Sequence, residues 1–170
     1  MFLDRDGTLI VEKNYLGNPD DVVLERFVVP GLLLLQNKGY FLVVVTNQSG
    51  IGRGLVTIDQ YLAVQKRLDE VLRAQNIELA ATYYCPHLPD ENCDCRKPKP
   101  GMILDAARDL HIDLKQSFLV GDKLSDIEAG RNAGVRTILV KTGYGAGFSE
   151  KVSADFVAEN LLEAVEALKL

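Results

Sequence analysis

The stretch Tyr40-Phe41-Leu42-Val43-Val44-Val45-Thr46-Asn47-Gln48-Ser49 decides the fold. Its apolar run does not alternate, as in a strand covered on both faces, and such strands belong to parallel sheets with helices on either side. The polar tetrad follows at the strand's carboxyl end, where ligands bind in open sheets of this kind. Outward from it the chain alternates between helix and strand periods. Pro30 to Lys38 predicts a helix with proline at its start and Gly39 as its stop. Downstream, Thr57-Ile58-Asp59-Gln60 is a capping box, and Tyr61, Val64, Leu68, Val71 and Leu72 recur at helical spacing. Phe2-Leu3 is a strand stub. Ala80 to Tyr84, Phe118 to Val120 and Val135 to Val140 are further strands; Met102 to Leu110 and Ser125 to Ala133 are helices. Asp155 to Val157 reads as a short edge strand, and Leu161 to Leu168, capped by Asn160, as the last helix. The expected fold is α/β, a doubly wound parallel sheet, in a single domain over residues 1–170.

Composition agrees with that reading. A chain of 170 residues, 47% of them hydrophobic, can bury one sizeable core. A net charge of −5 argues against holding nucleic acid through the overall field. No apolar run approaches the roughly 20 residues of a membrane span, and Met1 leads into an aspartate-bearing turn rather than a basic-then-apolar leader. A soluble, cytoplasmic monomer is expected. With three residues ahead of Asp4, the first strand is either trimmed or simply short.

The chemistry-bearing residues gather at strand ends. Asp4 and Asp6 follow the first strand, Thr46 to Ser49 the second, Lys97 the third and Gly121-Asp122 the fourth. Residues two apart in an extended segment share a side, so Asp4 and Asp6 are expected to face one ligand while Arg5 points away. One carboxylate can then attack phosphorus while the other serves the leaving group and the water. Gly7 lets the backbone turn closely, and Thr8 is expected to brace the turn. Taken alone, Asp-x-Asp-Gly is equally a plain turn. A phosphoryl group in transfer also needs donors, a cation and usually Mg²⁺. Thr46 offers a hydroxyl, Lys97 the cation and Asp122 a hard oxygen ligand beside Asp4, although each also has an ordinary structural reading.

All three cysteines, Cys85, Cys93 and Cys95, cluster with His87. Three sulfurs and one imidazole complete a tetrahedral Zn²⁺ shell with no open position, so residues 85–95 are read as a structural zinc loop. Arg96-Lys97 follows the last ligand directly, so metal binding would position the cation. His111 has no such partners.

Asp4-Arg5-Asp6-Gly7-Thr8, Thr46-Asn47-Gln48-Ser49-Gly50, Arg96-Lys97-Pro98 and Gly121-Asp122-Lys123-Leu124-Ser125-Asp126 together resemble the four ordered motifs of the haloacid-dehalogenase-like phosphatase superfamily. The resemblance implies a Rossmann-like fold, Asp4 as nucleophile, Asp6 as general acid/base, and Thr46 and Lys97 as phosphoryl stabilisers. It implies a catalytic Mg²⁺ on Asp4, the Asp6 carbonyl and Asp122, with Asp126 orienting Lys97 or a metal-bound water. The zinc loop resembles the D-glycero-D-manno-heptose 1,7-bisphosphate phosphatases and the related histidinol-phosphate phosphatases. Thr46 to Gly54 and the KPKPGM segment look like the heptose enzymes, which act in carbohydrate metabolism toward lipopolysaccharide heptose; the short cysteine loop looks equally like the histidinol-phosphate enzymes. A sugar bisphosphate is favoured because Arg96 and Arg53 offer cations for a second phosphate. The resemblance adds Lys13, Asn14 and Tyr15, for which a plain surface loop is the alternative, and Asn47, Gln48, Ser49 and Lys123 as substrate contacts; neither insertion point carries a large cap domain. A zinc-stabilised, non-catalytic module binding phosphorylated ligands is the remaining alternative.

Overall fold

The computed structural model describes residues 1–149 and 153–168. Strands β1 (Phe2–Leu3), β2 (Val43–Asn47), β3 (Ala81–Cys85), β4 (Phe118–Gly121), β5 (Arg136–Val140) and β6 (Phe156–Ala158) form one sheet. Their order is β3-β2-β1-β4-β5-β6, and every pairing is parallel. The helices are α1 (Val28–Asn37), α2 (Ser49–Gly52), α3 (Ile58–Arg73), α4 (Gly101–Asp109), α5 (Leu124–Ala133) and α6 (Leu161–Ala167).

Alternation along the strands builds two cores. Leu3, Val44, Val120, Ile138 and Val140 face one side, against Leu32 and Leu35 of α1, Val64, Leu68 and Leu72 of α3, and Leu161 and Val165 of α6. Phe2, Val43, Val45 and Leu119 face the other, against Met102, Ile103 and Ala106 of α4 and Ala129 and Ala133 of α5. Helices therefore cover both faces, as the unbroken Val43-Val44-Val45 run requires.

Element ends moved for identifiable reasons. β2 starts at Val43 rather than Tyr40, because Val43 is the residue opposite both Phe2 and Ala81. Before that rung Phe41 is exposed, and its carbonyl accepts from the Met1 amino group at 2.8 Å. α1 begins at Val28, ahead of Pro30, with Phe27 in the left-handed region at φ 64°. Proline fits there because the first turn of a helix has no intrahelical partner for its N–H groups. In α3 the capping box is complete: Thr57 Oγ1 accepts from the Gln60 amide at 3.1 Å, and Gln60 Oε1 accepts from the Thr57 amide at 2.8 Å. Single helical turns also form where the sequence reads as irregular, at α2, Pro19–Asp21 and Gly145–Gly147.

β1 and β4 are neighbours whose crossovers depart in opposite directions. The crevice beyond their carboxyl ends is the one such a sheet offers to a ligand, and Asp4 and Asp122 stand at its base.

Candidate active site

A cavity of about 310 Å³ opens over these strand ends. Its walls include Asp4, Asp6, Asn14, Tyr15, Thr46, Asn47, Gln48, Ser49, Arg96, Lys97 and Lys123. Lys13 and Arg53, both expected at the substrate, are not on those walls. Lys13 lies on the outer side of the same loop, 3.4 Å from Asp21, and Arg53 is exposed at the end of α2.

Asp4 follows β1, and its amide donates to the Val120 carbonyl at 2.9 Å, which fixes it against β4. Lys97 reaches it from the loop after β3. The Lys97 ammonium donates to Asp4 Oδ1 and to the Val45 carbonyl, both at 2.7 Å, and pairs with Asp126 Oδ1 at 2.6 Å. Its three protons are all engaged, so in this arrangement it orients Asp4 and balances two buried carboxylates. Burial works against the Asp4 anion, but Lys97 and then Lys123 hold the carboxyl below its usual range. Burial likewise opposes the Lys97 charge, and Asp126 and Asp4 overcome it and push its pKa up. Asn47 holds the backbone of Lys97 from both sides, donating Nδ2–H to its carbonyl and accepting its amide on Oδ1, each at 3.0 Å. Its amide functions are thus occupied by Lys97, although Asn47 also borders the cavity.

Asp122 is fully buried at the end of β4. Tyr144 donates its amide to Asp122 Oδ2 at 2.9 Å, whereas Oδ1 is buried without a hydrogen-bond partner. Gly7 at φ +87° and Gly143 at φ +53° press against this carboxylate, and a Cβ at either would strike it. Burial, then the Asp4 charge, pushes the Asp122 carboxyl up to about 8. Asp4, Asp122 and Asp126 bring carboxylate oxygens within 4.8 Å of one another, all buried. A hard divalent cation fits these residues: it supplies the partner that Asp122 Oδ1 lacks and offsets carboxylates that desolvate poorly.

Asp6 borders the cavity but is held from behind. Arg5, expected to point away, instead turns alongside: its Nε donates to Asp6 Oδ2 at 3.0 Å and its Nη2 to Oδ1 at 3.1 Å. The turn after Asp4 breaks strand alternation, since the Leu9 and Ile10 amides both donate to the Arg5 carbonyl at 2.9 and 3.0 Å. Arg5 is completely buried, its guanidinium 5.3 Å from the centre of the Tyr61 ring. Gln48 Nε2 bridges Asp6 Oδ2 at 2.7 Å and the Thr46 hydroxyl oxygen at 2.9 Å. Thr8 does not brace the turn as expected; its hydroxyl is buried without a partner.

The loop after β3 gathers Cys85, His87, Cys93 and Cys95. Cys85 Sγ lies 3.5 Å from His87 Nδ1 and 3.6 Å from Cys93 Sγ; Cys95 Sγ lies 3.3 Å from His87 Nδ1 and 3.5 Å from Cys93 Sγ. With metal–sulfur bonds of about 2.3 Å, tetrahedral ligands stand roughly 3.5–3.8 Å apart, so the four atoms suit one small tetrahedral ion. Arg96 joins this loop to the cavity, donating from Nη1 to the His87 carbonyl at 3.2 Å.

Sequence reasoning missed Glu12, Leu16, Gly50, Ser125 and Tyr144 on the walls. Glu12 pairs with Lys123 at 2.9 Å from a loop with no periodicity to place it. Tyr144 had a signal: it follows β5, and the strand-end rule that found the other clusters applies there too.

Residues 94–164 match the model of the HAD-hydrolase-like family. The D-glycero-beta-D-manno-heptose-1,7-bisphosphate 7-phosphatase of Photorhabdus laumondii subsp. laumondii is 40% identical over 99% of this chain and 94% of its own length. The enzyme of that name from Escherichia coli K12 is 41% identical over 99% and 93%. A crystal structure of the D,D-heptose 1,7-bisphosphate phosphatase from B. bronchiseptica, complexed with magnesium and phosphate, superposes with a TM-score of 0.93 at 32% identity, covering 99% of this chain and 97% of that one.

Proposed function

The chain belongs to the D-glycero-beta-D-manno-heptose-1,7-bisphosphate 7-phosphatase family of HAD-like hydrolases, and from that membership we propose that it removes the 7-phosphate of this sugar through an aspartyl-phosphate on Asp4. The observation that carries the chemical assignment is the Asp4–Lys97–Asp126 ion-pair chain beside Asp122, at the switch point of the sheet. Lys97 keeps Asp4 ionised, as a nucleophile must be.

In the first step an Asp4 carboxylate oxygen attacks phosphorus, and the bond from phosphorus to the sugar O7 breaks. Asp6, protonated and turned from Arg5 toward the cavity, gives its proton to the departing alkoxide. In the second step Asp6 takes a proton from water, whose oxygen attacks phosphorus, and the acyl-phosphate bond breaks to return Asp4 as a carboxylate. Thr46 donates a hydrogen bond from its hydroxyl to a phosphoryl oxygen, and the Lys97 N–H that bonds Asp4 in the resting site turns to the phosphoryl group once Asp4 is esterified, the proton staying on Lys97. Asp4, the Asp6 carbonyl and Asp122 would hold Mg²⁺. When bound, that ion offsets the charge on the transferring phosphoryl oxygens. Arg96, beside Lys97 on the wall, is the preferred cation for the second phosphate, over Arg53, which is exposed at the end of α2 and off those walls.

Zn²⁺ on Cys85, His87, Cys93 and Cys95 is the second metal of this reading, supported by the close approach of the four ligand atoms. Free thiols in such a set fit the reducing cytoplasm. In this reading residues 1–170 act as one domain and as a monomer.

The test is phosphate release with Mg²⁺, comparing kcat/KM on the heptose bisphosphate with that on histidinol phosphate. The bisphosphate is expected to be the better substrate by at least about a hundredfold, and Arg96→Ala to narrow that gap. Preference for histidinol phosphate would overturn the substrate assignment and leave the chemistry standing.

A further inference from the structure

The loop after β5 puts one large side chain into the cavity, and nothing in the chemistry of phosphoryl transfer requires it there. Tyr144 lies on the wall with 45% of its surface exposed. Its backbone is fixed independently of its side chain. The Tyr144 amide donates to Asp122 Oδ2 at 2.9 Å. Gly143 and Gly145 on either side are packed so closely that a Cβ would strike Asp122 at the first and the Val140 carbonyl at the second. The loop therefore has one seat, and the phenol projects from it.

Two contacts set where the phenol goes. The ring lies against the Lys123 ammonium, 5.1 Å from ring centre to nitrogen, an arrangement favoured by the ring's electron-rich face. The hydroxyl donates to Asn14 Oδ1 at 3.1 Å, joining this loop to the one after β1 across 130 residues of sequence. On the far side of that bridge, Asn14 and Tyr15 are consecutive residues in the left-handed region, at φ 45° and 57°. Such a pair of non-glycine residues holds a tight turn at a local cost. The result is a connected stretch of cavity wall made of an amide, a phenol and a lysine. Each can exchange its present partner for a hydroxyl group of a ligand.

We infer that Tyr144 is a specificity-determining residue that contacts the sugar, its ring packing on the carbon face and its hydroxyl and Asn14 pairing with sugar hydroxyls. This rests on the sugar-bisphosphate reading above. In a cavity whose lining is mostly polar, Tyr15 and Leu16 apart, a phenol is the group type that offers both an apolar face and a donor to a polyol. The phosphoryl end is served by Asp4, Lys97 and Asp122, so the contribution of Tyr144 should depend on what is attached to the phosphate.

The experiment compares wild type, Tyr144→Phe and Tyr144→Ala on the heptose bisphosphate and on acetyl phosphate, which carries no sugar, with Mg²⁺ present. For Tyr144→Ala, kcat/KM on the bisphosphate is expected to fall about tenfold further than on acetyl phosphate, with the extra loss in KM; Tyr144→Phe, which keeps the ring, should lose about threefold. Equal losses on the two substrates would show that the side chain acts through Lys123 or Asp122, and would overturn the inference. Unchanged kinetics on both substrates would do the same. Wild-type protein active on acetyl phosphate but inert toward the bisphosphate would overturn the substrate reading itself, a result separable from any effect of the variants.

Discussion

At the scale of single residues, charge placement explains more than contact number. Asp122 is the clearest case, because burial and Asp4 raise its carboxyl to about 8 from 3.8. A divalent ion binds the carboxylate, so the proton must leave first. Mg²⁺ affinity is therefore expected to weaken about tenfold per pH unit below 8, with one proton released per ion bound; titration calorimetry in buffers of different ionisation enthalpy reads both. The same shift has a sign for stability. Between 3.8 and about 8 the folded metal-free protein holds a proton that the unfolded chain does not. The contribution of this group is thus complete below 3.8 and lost as pH rises through about 8. Asn47 makes a second case. Asn47→Leu strips both partners from the Lys97 backbone, leaving two buried polar groups unpaired at about 1–3 kcal/mol each. The expected result is a lower denaturation midpoint and a loss in kcat larger than any rise in KM. Sequence reasoning reached Asp4, Lys97 and Asp122 because strand ends and residue chemistry point to them. It misplaced Arg5, because the tight turn at Gly7 ends the alternation on which that expectation rested.

At the scale of elements, the strand ends present Asp4, the proposed nucleophile, and the loops supply most of what surrounds it. Asp4 and Asp122 directly follow β1 and β4, and Thr46 is the next-to-last residue of β2; apolar runs marked each of those strands to within a few residues. The loop after β3 is different, since it has few apolar residues and gathers Cys85, His87, Cys93 and Cys95, the proposed Zn²⁺ ligands. Removing the ion with a chelator should lower the melting temperature and cut kcat together, because Arg96 and Lys97 leave the same loop. Zn²⁺ should restore both, and Mg²⁺ neither; activity that survives complete zinc removal would separate the loop from catalysis. For α3, Thr57→Ala breaks one half of a capping box and should cost about 1 kcal/mol in chemical denaturation. That box was legible as a tetrapeptide. The loop after β1 was not: Lys13 faces Asp21, Asn14 and Tyr15 face the cavity, and only the left-handed turn at 14 and 15 decides which.

At the scale of the molecule, two cores clamp the sheet so that four strand ends, distant in sequence, meet at one crevice. The order β3-β2-β1-β4-β5-β6 puts β1 at the switch point, which is why Asp4, the proposed nucleophile, follows the first strand and Asp122 the fourth. No helix among the described residues is long and apolar enough to cross a membrane. Between β1 and α1 the chain forms one short turn, Pro19–Asp21, and much of the cavity wall is drawn from loops, Tyr144 among them. The sheet topology follows from the alternation of buried strands and helices, whereas that wall depends on loop geometry that residue type alone does not encode. The account as a whole turns on Asp4 as the atom donor to phosphorus. The direct measurement is single-turnover phosphate release from the heptose bisphosphate by Asp4→Asn protein, with Mg²⁺ and with the fold checked by its melting curve. The expected rate is below about one-thousandth of wild type; a folded Asp4→Asn protein releasing phosphate at the wild-type rate would contradict the aspartyl-phosphate mechanism.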